Sequence, residues 1–143
     1  MEYFMRYFVE SDAVPTMGDL ALIWATFGEG YTLLDGEMRI GENIIGALDI
    51  YTRGDGDFEE EVEEFEEYLK ESDDEEGVTR VKECLELAKM SIGIEVNFDP
   101  EDPEGTMDLL MPLWDWLFIH HPGLLQADMA GFYNATEMVL ELA

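Results

Sequence analysis

The sequence predicts a single α+β domain over residues 1–143, with a mixed, mostly antiparallel sheet and helices packed on one or both of its faces. Three observations carry this. β-prone runs and runs of helical period are interspersed along the chain without an internal repeat. Two turn signals lie close together, so Tyr31 to Tyr51 reads as a meander. Hydrophobic residues make up 47% of the chain, enough to build a core in a domain of ordinary size. A ferredoxin-like sandwich with additions is one arrangement of this kind, and it carries no function by itself.

The elements follow in order. Tyr3 to Val9 is aromatic and β-prone and reads as a first strand. Thr16 is placed to cap a helix reaching Phe27, with Met17, Leu20, Trp24 and Phe27 at helical spacing and Gly28 and Gly30 ending it. Tyr31–Leu34 and Met38–Ile40 flank Asp35-Gly36, a two-residue hairpin signal. Ile44 to Tyr51 is a longer strand, apolar at nearly every position up to Leu48, as expected inside a sheet. Asp57 and Glu60 resemble a capping box for a helix reaching Ser72, whose stripe is Phe58, Val62, Phe65 and Leu69. Asp73 to Gly77 reads as an acidic linker, Val78 to Met90 as a third helix. Ile92, Ile94, Val96 and Phe98 alternate as in a half-buried strand. Thr106 is the expected cap of a helix ending at His120-His121-Pro122-Gly123, with Pro112 as a kink or a late start. Leu124–Asp128 and Thr136–Leu142 read as closing strands around a turn at Gly131.

The charge is the exceptional quantity. Against 7 bases stand 35 acids, a formal net charge of -28. Nucleic acid and anionic membrane surfaces both repel such a chain. No run approaches the ~20 apolar residues of a membrane span. The first ten residues lack a basic region followed by an apolar run, so no secretory leader is expected. The lone Cys84 has no internal disulfide partner, which fits a reducing, cytoplasmic setting. The expected partners are a basic protein surface or counter-cations. Adaptation to a salty interior is a competing explanation of the charge.

The acids are concentrated. Of the 35, 14 lie between Asp55 and Glu76. With the apolar stripe buried, Glu59, Glu60, Glu63, Glu64, Glu66, Glu67 and Glu71 cover the opposite face and its flanks and form the candidate partner-binding surface. Like charges at i,i+4 cost a few tenths of a kcal/mol each. Burying the stripe at about 1.5–3 kcal/mol per side chain is enough to offset them. A helix from 57 to 72 would be about 24 Å long, near the length of seven base-pair steps, so mimicry of a nucleic-acid backbone is a sharper form of the docking reading.

Chemistry is harder to find. Asp55-Gly56-Asp57 begins like a calcium loop with Glu66 twelfth, but the sixth position is Glu60 instead of Gly and the stripe demands helix there. Asp99, Glu101, Asp102 and Glu104 lack a fixed ligand geometry. His120 and His121 point about 100° apart on a helix and have no Cys or third His at ligand spacing, so no metal is expected. The serines lack a nucleophile-elbow context, and phosphate-binding glycine motifs are absent. No catalytic residue and no cofactor is therefore expected, and the balance leans away from an enzyme. The alternative is a small-molecule, metal-binding or hydrolytic site beside His120 and His121. The segment Met107 to Ile119 is apolar on both sides, and Leu109, Leu113 and Trp116 are its candidate oligomer surface.

Overall fold

All eight strands join one antiparallel sheet in the computed structural model, which describes residues 2–142. In chain order the elements are β1 (Phe4–Val9), α1 (Met17–Thr26), β2 (Tyr31–Leu34), β3 (Glu37–Ile40), β4 (Asn43–Thr52), α2 (Asp57–Leu69), α3 (Glu75–Leu87), β5 (Met90–Val96), α4 (Pro103–His120), β6 (Gly123–Ala127), β7 (Gly131–Tyr133) and β8 (Met138–Glu141). The strand order is β2-β3-β4-β5-β1-β6-β7-β8. Its centre, β4-β5-β1-β6, has the strand order of a split β-α-β sandwich, with α1 and α4 crossing one face. The β2-β3 and β7-β8 hairpins extend the two edges, and α2 and α3 lie on the other face.

Strand alternation separates two cores. Tyr7, Ile92 and Ile94 pack under Leu20 and Trp24 of α1 and Leu110, Trp114 and Leu117 of α4. Phe8 and Leu124 face the other way and meet Phe58, Phe65 and Leu69 of α2 and Val81 and Leu85 of α3, with Phe132 and Leu140 from the far edge. Helices on both faces explain why β5 is buried at Met90, Ser91 and Ile92 in succession. No helix among the described residues is long and apolar enough to cross a membrane.

The Asp35-Gly36 hairpin forms as its sequence requires. Asp35 has φ 52 and Gly36 φ 82, left-handed at both central positions, as in the turn that matches strand twist. A Cβ on Gly36 would lie 2.7 Å from the Leu48 carbonyl oxygen, which also accepts no slack because Leu48 N donates to Gly36 O at 2.7 Å. Gly36→Ala should therefore cost about 1–2 kcal/mol, the usual strain of a left-handed L-residue, read from the urea midpoint. An unchanged midpoint would show that the turn relaxes freely.

Several boundaries differ from expectation, each for a local reason. α2 begins at Asp57 behind Gly56, so its capping residue is Glu59, one place earlier than the Asp57/Glu60 pair implied. Of the Asp73–Gly77 segment only Asp73 and Asp74 lie between the helices, and Glu75 to Gly77 belong to α3. Asp74 accepts from Gly77 N at 3.0 Å, and Glu75 and Glu76 occupy the first turn of α3, where acids suit the helix dipole. α3 stops at Leu87 because Met90 already belongs to β5. α4 is capped by Asp102, with Pro103 in its first turn, while Thr106 Oγ1 accepts from Asp99 N at 3.0 Å and pins the preceding loop. The helix starts well before Pro112 and runs through it. The turn around Gly131 contains a strand of its own, β7.

Candidate functional site

Besides its apolar stripe, α2 turns one carboxylate inward onto the sheet. Glu61 lies three residues after Phe58 and four before Phe65, so helical geometry turns it toward the sheet with the apolar stripe. There Arg6 Nε donates to Glu61 Oε2 at 3.1 Å and Ser91 Oγ donates to Glu61 Oε1 at 2.7 Å. Arg6 Nη1 also donates to Gln126 Oε1 at 2.8 Å and Asp128 Oδ1 at 2.9 Å. The guanidinium lies 5.0 Å from the Phe4 ring centre and 5.3 Å from that of Phe65. Burial pushes the Glu61 carboxyl above its ordinary range, against the pull of Ser91 and Arg6.

Four of the six other bases are also engaged, and Lys82 and Lys89 are exposed. Arg53 Nε and Nη2 donate to the carbonyls of Ala88 and Leu85 at 2.6 and 2.7 Å, closing the C-terminus of α3. Arg80 meets Glu10 at 2.7 Å, Arg39 meets Glu37, and Lys70 meets Glu67 at 3.0 Å. What faces solvent is therefore overwhelmingly carboxylate.

The seven candidate acids separate into a group and two outliers. Glu60, Glu63, Glu64, Glu66 and Glu67 line one shallow surface with Lys70 as its sole base. Glu59 is tied to the start of the helix: its carboxylate accepts from Gly54 N at 2.9 Å and Gly56 N at 3.0 Å. The bond from Gly54, with that from Gly56, holds its pKa below the ordinary range. Glu71 lies past the end of α2, beside Tyr68, Ser72, Glu141 and Leu142. Among the three candidate oligomer residues, Leu113 is 1% exposed and inside the core, so it offers nothing to a second chain. Leu109 and Trp116 are half-buried on α4. Trp116 packs against both histidines, its ring centre 5.1 Å from His120 and 5.2 Å from His121. His121 Nδ1 is 2.8 Å from the Ala13 carbonyl oxygen. Neither imidazole lines the hollows beside α2, at the β2-β3 turn, at the start of α4 or at the end of α2. No cluster of three His, Cys, Asp or Glu side chains among those residues has the geometry to hold a metal ion. Cys84 is buried, and burial with Glu10 nearby pushes its thiol far up.

The structure adds a feature absent from the sequence reading. The α2-α3 layer covers only part of its face of the sheet. Beside α2 lies a cavity of about 300 Å³ bounded by Phe4, Arg6, Ala47, Asp49, Gly93 and Glu95 and by Asp57, Glu60 and Glu64 of the helix. It shares Phe4, Ala47, Asp49 and Glu95 with a wider hollow of about 920 Å³ that continues toward Glu37 and the β2-β3 turn. Cross-strand register explains the grouping. Glu37, Ala47, Glu95 and Phe4 form one row across β3, β4, β5 and β1, and Asp49, Gly93 and Arg6 form the next.

Comparison with protein-family models, with curated proteins and with solved structures found no match to this chain.

Proposed function

We propose that this protein is a non-enzymatic docking domain that binds a basic protein surface through the outer face of α2. The observation that supports it is a segregation of charge. Glu61 is turned inward against Arg6, while Glu60, Glu63, Glu64, Glu66 and Glu67 remain together outside with Lys70 alone among them. Such a face raises the rate of encounter with a cationic partner and disfavours anionic ones, nucleic acid included.

The mechanism is electrostatic steering followed by short-range pairing, so it makes a kinetic prediction. A partner captured from the native host at low ionic strength should bind a Glu63→Gln/Glu66→Gln/Glu67→Gln variant with an association rate about 10–10³-fold lower. Wild-type association should slow steeply between about 0.1 M and about 1 M salt, as the Debye length shrinks to roughly a third. Surface plasmon resonance reads both quantities. A partner that binds wild type and variant alike, with a flat salt dependence, would rule out α2 as the interface.

A further inference from the structure

We infer that the bare part of the sheet beside α2 seats an extended, arginine-rich segment of the partner; this rests on the docking role just described and says where the partner's chain goes. Three features converge on it. The first is that this stretch of sheet has no cover. α2 crosses the row Tyr51–Ser91–Phe8, where Glu61 reaches Ser91; in the next row it meets only Arg6, through Glu61 and Phe65, and leaves Asp49 open, and in the row beyond Ala47 and Glu95 are exposed. Asp49, Ala47 and Glu95 are exposed there, and Phe4 is half-buried. The two hollows share four lining residues and together form a trough across β3, β4, β5 and β1, which at ~4.8 Å per strand spacing is about 14 Å, room for about four residues of extended chain at ~3.3 Å each.

The second feature is Gly93, on the floor of the narrower hollow beside α2. Glycine inside a strand weakens it by about 0.5–1 kcal/mol relative to alanine and marks a bulge, a bend or a close approach by another group. Gly93 has unbroken register with both Arg6 and Asp49, so there is no bulge. A Cβ there would meet nothing nearer than 3.9 Å, so no neighbour in the chain requires the glycine. Gly46 is the contrast, since its Cβ would lie 2.8 Å from the Glu95 carbonyl oxygen. What the missing side chain of Gly93 does is keep the floor low between Asp49 and Arg6, leaving room for a chain laid across it.

The third feature decides the occupant. Asp49, Glu95 and Glu37 rise from the sheet, and Asp57, Glu60 and Glu64 face them from α2. Arg6, the one base lining the trough, is already held by Glu61 and Asp128. A second copy of this chain would bring the same carboxylates against themselves. The acids are spread along the trough, and no three of them gather closely enough for one metal ion. Cations spaced along an extended segment fit that spread, since alternate side chains of a strand are ~6.6 Å apart. Arginine fits better than lysine. The trough already shows how it treats a guanidinium, in Arg6 stacked 5.0 Å from Phe4 and paired to carboxylates.

The test uses a fluorescein-labelled peptide of alternating arginine and glycine, titrated with the full-length protein at low ionic strength and read by anisotropy. Gly93→Ile fills the floor with a strand-favouring side chain and leaves the charge unchanged, and Asp49→Asn/Glu95→Gln removes two floor carboxylates without filling anything. Each should weaken the peptide about tenfold or more, while circular dichroism shows the fold retained. Asp49→Asn/Glu95→Gln decides the matter if Gly93→Ile does not fold. Glu63→Gln/Glu66→Gln/Glu67→Gln, outside the trough, should weaken it less. If the trough variants bind like wild type and only this last variant loses the peptide, the trough assignment fails and docking on α2 survives. If a peptide of alternating lysine and glycine binds equally well, the preference for arginine fails. If wild type binds neither peptide, the docking role falls as well.

Discussion

Replacing Arg6 by Met should destabilise the fold by about 3–5 kcal/mol, far more than a surface charge would. Arg6 and Glu61 have side chains only 18% and 13% exposed, and Asp128 is 28% exposed. Removing the guanidinium strands Glu61 under α2 with Ser91 as its remaining donor. Removing both charges is a different matter, because a buried ion pair is worth little more than the apolar groups that could replace it. The Arg6→Met/Glu61→Leu double variant should therefore lose less than the sum of the two single variants, by a coupling energy of about 0.5–3 kcal/mol. Urea unfolding of the four proteins at neutral pH measures the cycle. Additive losses would mean that Arg6 and Glu61 act independently.

The same pair predicts a pH signature. Burial raises the Glu61 carboxyl, so in this range the folded state holds its proton more tightly than the unfolded chain does. Its contribution to stability is therefore complete below the unfolded value and is lost as pH rises through the folded one. Without Arg6, which pulls that value down, the window extends upward. The Arg6→Met variant should lose more stability between mildly acidic and neutral pH than wild type does.

Much of the fold was legible because local rules and tertiary order agree. Thr16 caps α1, its hydroxyl accepting from Asp19 N at 3.0 Å while the Asp19 carboxylate accepts from Thr16 N at 2.9 Å. Asp35-Gly36 makes its hairpin, and the alternation after Met90 makes β5. Glu61 was not singled out, because in a run of glutamates composition cannot mark the one that faces inward. Its spacing from Phe58 and Phe65 could have, taken with Arg6 standing in an otherwise apolar first strand. β7 is three residues long, too short to display a period. The trough was beyond reach, since Phe4, Asp49, Glu64 and Glu95 become neighbours only when β5 inserts between β4 and β1.

Phe65→Ala should cost about 3–5 kcal/mol, and the loss should be greater at low salt than at high salt. Phe65 is 5% exposed and makes edge-on contacts with Phe8 at 5.8 Å and Phe132 at 5.4 Å, joining α2 to the sheet and to its far edge. Phe58 and Leu69 complete the stripe, and Glu61 adds its bonds to Arg6 and Ser91. Glu60, Glu63, Glu64 and Glu67 follow one another at i,i+3 and i,i+4 along its outer side, and each like pair costs a few tenths of a kcal/mol. The stripe must offset that repulsion, so weakening the stripe exposes it. Screening by salt, or the Glu63→Gln/Glu66→Gln/Glu67→Gln change, should then return part of what Phe65→Ala removes. Urea midpoints across a salt series, with hydrogen exchange of the α2 amides, would follow both effects. A triple variant less stable than wild type at low salt would refute the repulsion. If the repulsion holds, the outer acids of α2 work against the helix that carries them, and a basic partner bound across them would stabilise the fold as it docks.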